Sequence, residues 1–419
     1  MVERLVTAPT SPASRVVASG GGLAAGLLRL RPALAVGAVY VAARLVTTVF
    51  LLIAAELSAP TSRFGADATI GTLSMGWDAQ WYWVVGSAGY PDHLPVDAAG
   101  QVTQNAWAFM PVYPALTRAL SVVFLGNYPL AAVVLAIVAG YLACLVFFHL
   151  LREKLDPRAA LWAVALLAAS PLGALFQMGY AESLFLLWLF LSLRCLIRRR
   201  FVWLYPLIVL LGYTRPGVLA FALLLGAYGV VRWLRRRHDP LPAAQVVHIL
   251  TLGALAVAVG FSWQLIAGIA TGRPDAYMQT ELSWRRGWIG DGGFVPFDGF
   301  VQGAALWFRL WGLPEAAAYV ALVVGVLAIA AVLVFEPHVR RLSVELRLWS
   351  ASYLVYLLVV FFPQSSLFRL LLPLAPLYGA IALPRNGLWR GGMLLLGLIG
   401  QWWWIYQMLA LGNTYTQIP

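Results

Sequence analysis

About eleven runs of apolar residues divide the 419-residue chain, and they decide what it can fold into. They lie near 33–56, 128–150, 159–176, 182–197, 201–214, 216–232, 245–270, 315–335, 348–362, 367–383 and 391–411. A helix crosses a bilayer with about 20 mostly apolar residues, and in hydrocarbon only helices or closed barrels satisfy every backbone polar group. The runs therefore predict an all-α polytopic integral membrane protein of about eleven spans. The fifth and sixth are short and separated by "TRPG", so tilted or broken helices are expected there. Charged residues make up 11% of the chain against about 25% in soluble domains. Residues 1–28 are rich in Ser, Pro, Gly and Ala and read as a disordered cytoplasmic tail. Residues 29–419 read as one membrane-embedded domain.

The net charge of +12 does not point to nucleic acid, because the basic residues are sorted by side. With the N-terminus inside, the tail and the connections "REKLDPR", "RCLIRRR", "RWLRRRHD", "EPHVRRLSVELR" and "PRNGLWR" hold twenty basic residues against eight outside. Asp67, Asp78, Asp92, Asp97, Glu182, Asp275, Glu281, Asp291 and Asp298 all fall on the outer face. Chemistry is thus expected on the extracytoplasmic side of a multi-pass plasma-membrane protein, in the two long outer connections, 58–127 and 271–314. Both cysteines, Cys144 and Cys195, lie in apolar runs, which argues against a disulfide framework. The five histidines are not spaced as ligand pairs, so no metal or other cofactor is expected. No Walker A sequence or G-x-G-x-x-G turn supports nucleotide as the energy source.

In the first outer connection, "WDAQWYWVVGSAGY" wraps aromatics around Asp78. Trp77, Trp81, Val84, Val85 and Ala88 recur at helical spacing on one face and predict a short interfacial helix. Asp78 at its start reads either as an N-cap or as a functional acid; the capping-box partner is missing, since Trp81 stands three residues on. "NAWAFMPVYPAL" follows, a proline-kinked element carrying Phe109 and Tyr113, of the kind tolerated at membrane depth only beside a cavity.

Tyr180 and Glu182 in "QMGYAESLF" and Arg215 in "GYTRPG" sit at outer ends of tight connections, and Arg369 lies just inside the tenth run. Arg215 and Arg369 are candidates for holding an anion through bidentate bonds. Arg285, Arg286 and Trp288 form an outer cluster that suits either a bound phosphate or lipid headgroups. Arg44, mid-helix, must face the bundle, paired with an acid or lined by polar groups. One acid in a wet cavity, arginines at its level and aromatic platforms suit transfer of a group from a lipid-linked phosphate to a hydroxyl. The acid acts as general base and the arginines hold the leaving phosphate.

The ordered set "ARLVTT", "WDAQWY", "AGY", "NAWAFMPVYP", "MGYAESLF" and "YTRPGVL", over residues 43–220, resembles the PIG-V-type mannosyltransferases that add the second mannose to GPI anchors, and their bacterial homologues, within the GT-C superfamily of multi-pass glycosyltransferases. The C-terminal half matches more loosely, through "SSLFRLLLPLAPLY", and "FMPVYP" carries methionine where a second phenylalanine is common. The resemblance implies an inverting, metal-independent enzyme with a polyprenyl-phosphate mannose donor and Asp78 as base. Beside it, on physical grounds, donor-phosphate contacts are expected from Arg215, Arg369, Arg285 and Arg286, and substrate contacts from Trp77, Trp81, Tyr82, Tyr113, Tyr180 and Glu182; Glu182 and Arg215 also fall in the family's motifs. The arginine-heavy, lysine-poor usage is that of a GC-rich bacterial genome, so the implied acceptor is a phosphatidylinositol mannoside, lipomannan or another glycolipid. Transfer of arabinofuranose or another sugar stays open on the same scaffold. A lipid transporter would show inverted repeats and paired broken helices at the midplane, which the sequence lacks. A non-catalytic subunit is the remaining alternative.

Overall fold

The computed structural model describes residues 32–418, so the tail expected to be disordered lies outside the described residues. The regular structure of the described chain is helical, with one isolated antiparallel bridge between Val96 and Val102. The chain begins with α1 (Pro32–Glu56) and enters the first long connection, which holds α2 (Ile70–Ser74), α3 (Asp78–Ala88) and α4 (Val112–Ser121). Then follow α5 (Tyr128–Leu151), α6 (Pro157–Ala168), α7 (Glu182–Ile197), α8 (Leu204–Gly212), α9 (Val218–Leu234) and α10 (Ala243–Thr271). The second long connection holds α11 (Ala276–Ile289) and α12 (Asp298–Leu310). The remainder is α13 (Glu315–Phe335), α14 (Val344–Val360), the short α15 (Leu367–Leu370) and α16 (Tyr378–Ile381), and α17 (Gly387–Ile405), which runs into a π-helical turn at Tyr406–Leu411.

Among the described residues, five stretches are long and apolar enough to cross a membrane: Pro32–Glu56, Tyr128–Leu151, Ala243–Thr271, Glu315–Phe335 and Gly387–Leu411. The expected count of eleven is not reached on that measure, because the other runs fold as shorter or interrupted helices. In the run 159–176, α6 stops at Ala168, Pro171 follows, and a 3₁₀ turn resumes at Gly173. Helix ends leave carbonyls without intrahelical donors. Here Arg44 supplies them: its guanidinium donates to the Ala168 carbonyl at 2.6 Å and the Gly173 carbonyl at 2.5 Å. Gln401 adds a bond to the Ser170 carbonyl at 3.1 Å and pairs with Thr47. The mid-helix arginine is thus lined by backbone carbonyls and ties α1 to the break after α6, while Gln401 brings α17 to the same break. In the run 367–383, Pro373 and Pro376 break the chain into α15, a 3₁₀ segment and α16.

α5 and α7 form the centre, with Phe147 stacked on Phe190 at 4.8 Å. α13 buries only Ala318 although it is apolar all round, as expected of a helix whose solvent is lipid. The C-terminal segment packs beneath the first long connection. The Arg63 N–H donates to the Leu411 carbonyl at 3.0 Å, the Asn413 amide bonds the Thr61 carbonyl, and Ser365 bonds the Ile418 carbonyl at 2.5 Å.

Candidate functional site

α3 starts at Asp78, but Asp78 does not cap it. The residue in the N-cap position is Trp77, with no side-chain cap bond, and Asp78 is already helical. Trp77 has φ 55° and ψ −120°, a conformation that costs an L-residue about 1–3 kcal/mol. Its side chain is clamped: the indole N–H donates to the Met408 carbonyl at 2.8 Å, and the Arg63 guanidinium lies 3.9 Å over the ring. The turn thus directs the Asp78 carboxylate away from the helix N–H groups, and its Oδ2 pairs with Nη1 of Arg369.

Arg369 has a second acid on its other side. Its Nε lies 3.4 Å from Oε1 of Glu182, and the same oxygen pairs with Nη1 of Arg215. Asp78, Arg369, Glu182 and Arg215 thus form a row of alternating charges with zero net charge. Their side chains are 20%, 10%, 4% and 12% exposed, so Asp78 is the most open and Glu182 the most enclosed. Attraction is strong in such a low-dielectric place, and removing one member leaves a buried charge unmatched. The Tyr180 ring lies 5.6 Å from the Arg369 guanidinium. A cavity of about 10 Å³ touches Glu182, Arg215 and Arg369 and is walled by Phe185, Pro216 and Tyr353.

Local sequence brings the row together. Gly179 donates its N–H to the Ser74 carbonyl at 2.9 Å, and a Cβ there would press on Met75 and Ala79. That close approach sets Tyr180 and Glu182 against the start of α3. Arg215 sits in a turn closed by Pro216 and by Gly217 at φ +140°, a conformation that glycine alone adopts readily. Arg369 stands on the short α15, held by the proline breaks after it.

The expected short helix forms at Asp78–Ala88, and of the aromatic and apolar face noted in the sequence only Val85 is buried. Ala79, Tyr82, Val85 and Gly86 point inward, while Val84 and Ala88 are exposed. The reason is Tyr128, which packs against Gly86 and donates its hydroxyl to the Tyr82 carbonyl at 2.7 Å. Trp81 is half-buried, stacked on Phe109 at 5.8 Å and edge-on to Trp284 at 6.2 Å. Tyr82 and Tyr113 lie deeper, ring to ring at 5.0 Å, and the Tyr113 hydroxyl is spent on the Ala132 carbonyl at 3.0 Å. Both brace α3 from beneath and offer little free surface. Burial, with Glu182 and Asp78 adding to it against Arg215 and Arg369, holds the Tyr82 hydroxyl protonated well above its ordinary range.

Arg285 and Arg286 do not join the charged row. Arg285 donates to the Gly293 carbonyl at 3.1 Å; Arg286 donates to the Val102 carbonyl at 2.7 Å and pairs with Asp291 at 2.7 Å. They fasten the second long connection to itself and to the first. Asn105 adds a bond to Thr280 at 2.9 Å.

That fastening brings in an acid the sequence reading did not select. Tyr277, Glu281 and Trp284 share one face of α11 at i, i+4 and i+7, and Trp284 packs on Trp81 and Phe109. Burial pushes the Glu281 carboxyl up to about 7; the Tyr277 hydrogen bond opposes this and the Asp78 charge adds to it. Glu281 has no ion-pair partner among the described residues. A lone acid on an otherwise aromatic helix face was the signal available in "YMQTELSW".

No protein-family model matches the sequence, and neither does any curated protein. Among solved structures it is similar to ArnT from Cupriavidus metallidurans bound to undecaprenyl phosphate, at 15% identity and TM-score 0.47, over 85% of this chain and 62% of that one. The Archaeoglobus fulgidus oligosaccharyltransferase in complex with zinc and sulfate is similar at 15% identity and TM-score 0.43, over 88% and 52%. The oligosaccharyltransferase AglB from the same organism, with an inhibitory peptide and a dolichol-phosphate, gives 15% and 0.41, over 89% and 56%. The chain spans between about half and two thirds of the length of these proteins. At these values the likeness assigns neither family nor activity.

Proposed function

We propose that the chain is an inverting glycosyltransferase of the PIG-V-like type. In this reading it moves mannose from polyprenyl-phosphate mannose to a hydroxyl of a phosphatidylinositol-mannoside or lipomannan-like glycolipid on the extracytoplasmic face of the plasma membrane. The observation that carries the reading is the row Asp78–Arg369–Glu182–Arg215, which sets the most open carboxylate against Arg369 and, across Glu182, brings in Arg215.

The ion pair occupies Oδ2 of Asp78 and leaves Oδ1 for the acceptor hydroxyl. The hydroxyl oxygen attacks the anomeric carbon and its proton passes to Asp78. The bond from that carbon to the phosphate oxygen breaks, and its electron pair leaves with the polyprenyl phosphate. A single displacement inverts the centre. A guanidinium carries five N–H donors, so Arg369 and Arg215 keep donors for the leaving phosphate while Glu182 holds both in place. Trp81 and Trp284 supply the faces on which a sugar ring packs. Glu281, uncharged when protonated, donates to a sugar hydroxyl without repelling the donor phosphate.

The test is reconstitution of the purified chain with synthetic polyprenyl-phosphate mannose and a panel of inositol-mannoside acceptors, with product followed by mass spectrometry. Wild type should transfer. Asp78→Asn should fold, bind donor and lose about 10²–10⁴-fold in rate. Equal rates in both would remove Asp78 from the chemistry, and transfer from a polyprenyl-phosphate arabinose donor alone would reassign the sugar.

A further inference from the structure

At the opposite end of α7 from Glu182, about 24 Å away along its 16 residues, the chain forms a groove of about 460 Å³. Its basic wall is Arg199 and Arg200, and Gln245 and His248 of α10 face them across it. Arg199 closes the end of α7 at φ 55°, in the left-handed place where glycine is usual, and Arg200 donates its N–H back to the Cys195 carbonyl at 2.8 Å. An arginine in that place is an unfavourable backbone choice. Arg199 is matched by Asp239 at 2.6 Å, which also pairs with Arg232 at 3.2 Å. Arg198 is matched by Glu153 at 2.7 Å. Arg200 has no acidic partner among the described residues.

The rest of the groove is built from rings and amides. Phe201 stacks on His248 at 5.6 Å, and the His248 Nδ1 is joined to the Tyr205 hydroxyl at 3.1 Å. Gln245 gives its oxygen to Arg232 at 3.0 Å and keeps its NH₂ as a donor. The rim is apolar: Val202 is 66% and Trp203 64% exposed, and exposed Val247 and Leu250 continue along α10. A cation with a free valence at one end and an apolar track at the other matches a lipid and not a soluble anion. Basic recesses between membrane helices hold anionic headgroups in this way.

We propose that this groove binds the phosphodiester headgroup of an anionic phospholipid, with Arg200 on the phosphate and Trp203 beside the acyl chain. The full chain, stripped of lipid in detergent, would be given phosphatidylglycerol or phosphatidylcholine of equal chain length and examined by native mass spectrometry. Wild type should retain phosphatidylglycerol over phosphatidylcholine. Arg200→Gln should weaken that retention by about tenfold. Trp203→Ala should weaken it too, and Arg236→Gln, a neighbouring arginine outside the groove, should leave it intact. Equal retention of the two lipids, equal loss in Arg236→Gln and Arg200→Gln, or displacement by inorganic phosphate would each overturn the proposal. No glycosyl donor is used, so the outcome is separate from that of the proposed transfer reaction.

Discussion

Asp78 and Arg369 stand 291 residues apart in the chain and meet in an ion pair through Oδ2 and Nη1. The pair is not isolated, because Arg369 also reaches Glu182. A lysine at 369 would keep the charge but lose the planar fork that serves both acids. Arg369→Lys is therefore expected to lower both the melting temperature and the transfer rate. Asp78→Asn and Arg369→Gln should be non-additive in stability by about 0.5–3 kcal/mol, read from a double-mutant cycle of thermal melts.

Glu182 is the most enclosed of the four and the counter-charge of two arginines. Glu182→Gln leaves Arg215 and Arg369 facing each other without it. The expected cost is about 3–5 kcal/mol of stability. Adding Arg215→Gln should restore part of that loss in tryptophan-fluorescence melts. A double variant as unstable as the single would refute the shared-charge account.

Trp77 holds a costly backbone conformation through its indole and its ring contact with Arg63. Trp77→Phe keeps a ring over Arg63 but loses the bond to Met408. Stability should fall by about 1 kcal/mol. Because the residue aims Asp78, kcat should fall while KM for donor stays near its wild-type value; a change confined to KM would place Trp77 in substrate binding instead.

Glu281 gives the fold a pH dependence. Its carboxyl is raised from an ordinary value of 4.5 to about 7, so between these the folded state holds more protons than the unfolded one. Stability from this residue therefore falls as pH rises through that window, and above about 7 the folded chain carries an ionised Glu281 at a cost. The groups facing it are Tyr277 on its own helix, Asp78 on α3 and Tyr356 on α14. Glu281→Gln should flatten the slope and raise the melting temperature at alkaline pH. An unchanged melting profile would show that the carboxyl is not raised.

Arg44 donates to two carbonyls at the break after α6. Arg44→Met removes both bonds and leaves both acceptors buried, at a cost of about 1–3 kcal/mol each. The variant should melt earlier and yet transfer at the wild-type rate wherever it is folded, since Arg44 makes no contact with the charged row.

The sequence showed where polarity is concentrated but not how it is paired. Apolar run length located the helices, and outer acids and arginines singled out Asp78, Glu182, Arg215 and Arg369. What was hidden is that these four neutralise one another, because contacts between residues 78, 182, 215 and 369 have no local signature. Arg285 and Arg286 carry the same residue types at the same level, yet their donors go to backbone carbonyls and Asp291. The buried face of α3 is not legible from apolar spacing, because Trp83 and Val84 are apolar and nonetheless exposed. Glu281 was only one of several outer acids in the sequence, and the packing of α11 on Trp81 sets it apart.

The contact of Trp77 with Met408, and of Arg63 with Leu411, has a consequence for biogenesis. The ribosome makes the first long connection early and these partners more than three hundred residues later. Until residue 369 is made Asp78 lacks Arg369, and until residue 408 is made the indole of Trp77 lacks its acceptor. Maturation of the site is therefore a late event of membrane insertion. A chain arrested before residue 369 would carry most of its helices and an unfinished, charge-exposed centre, which gives cellular quality control a chemical difference to read.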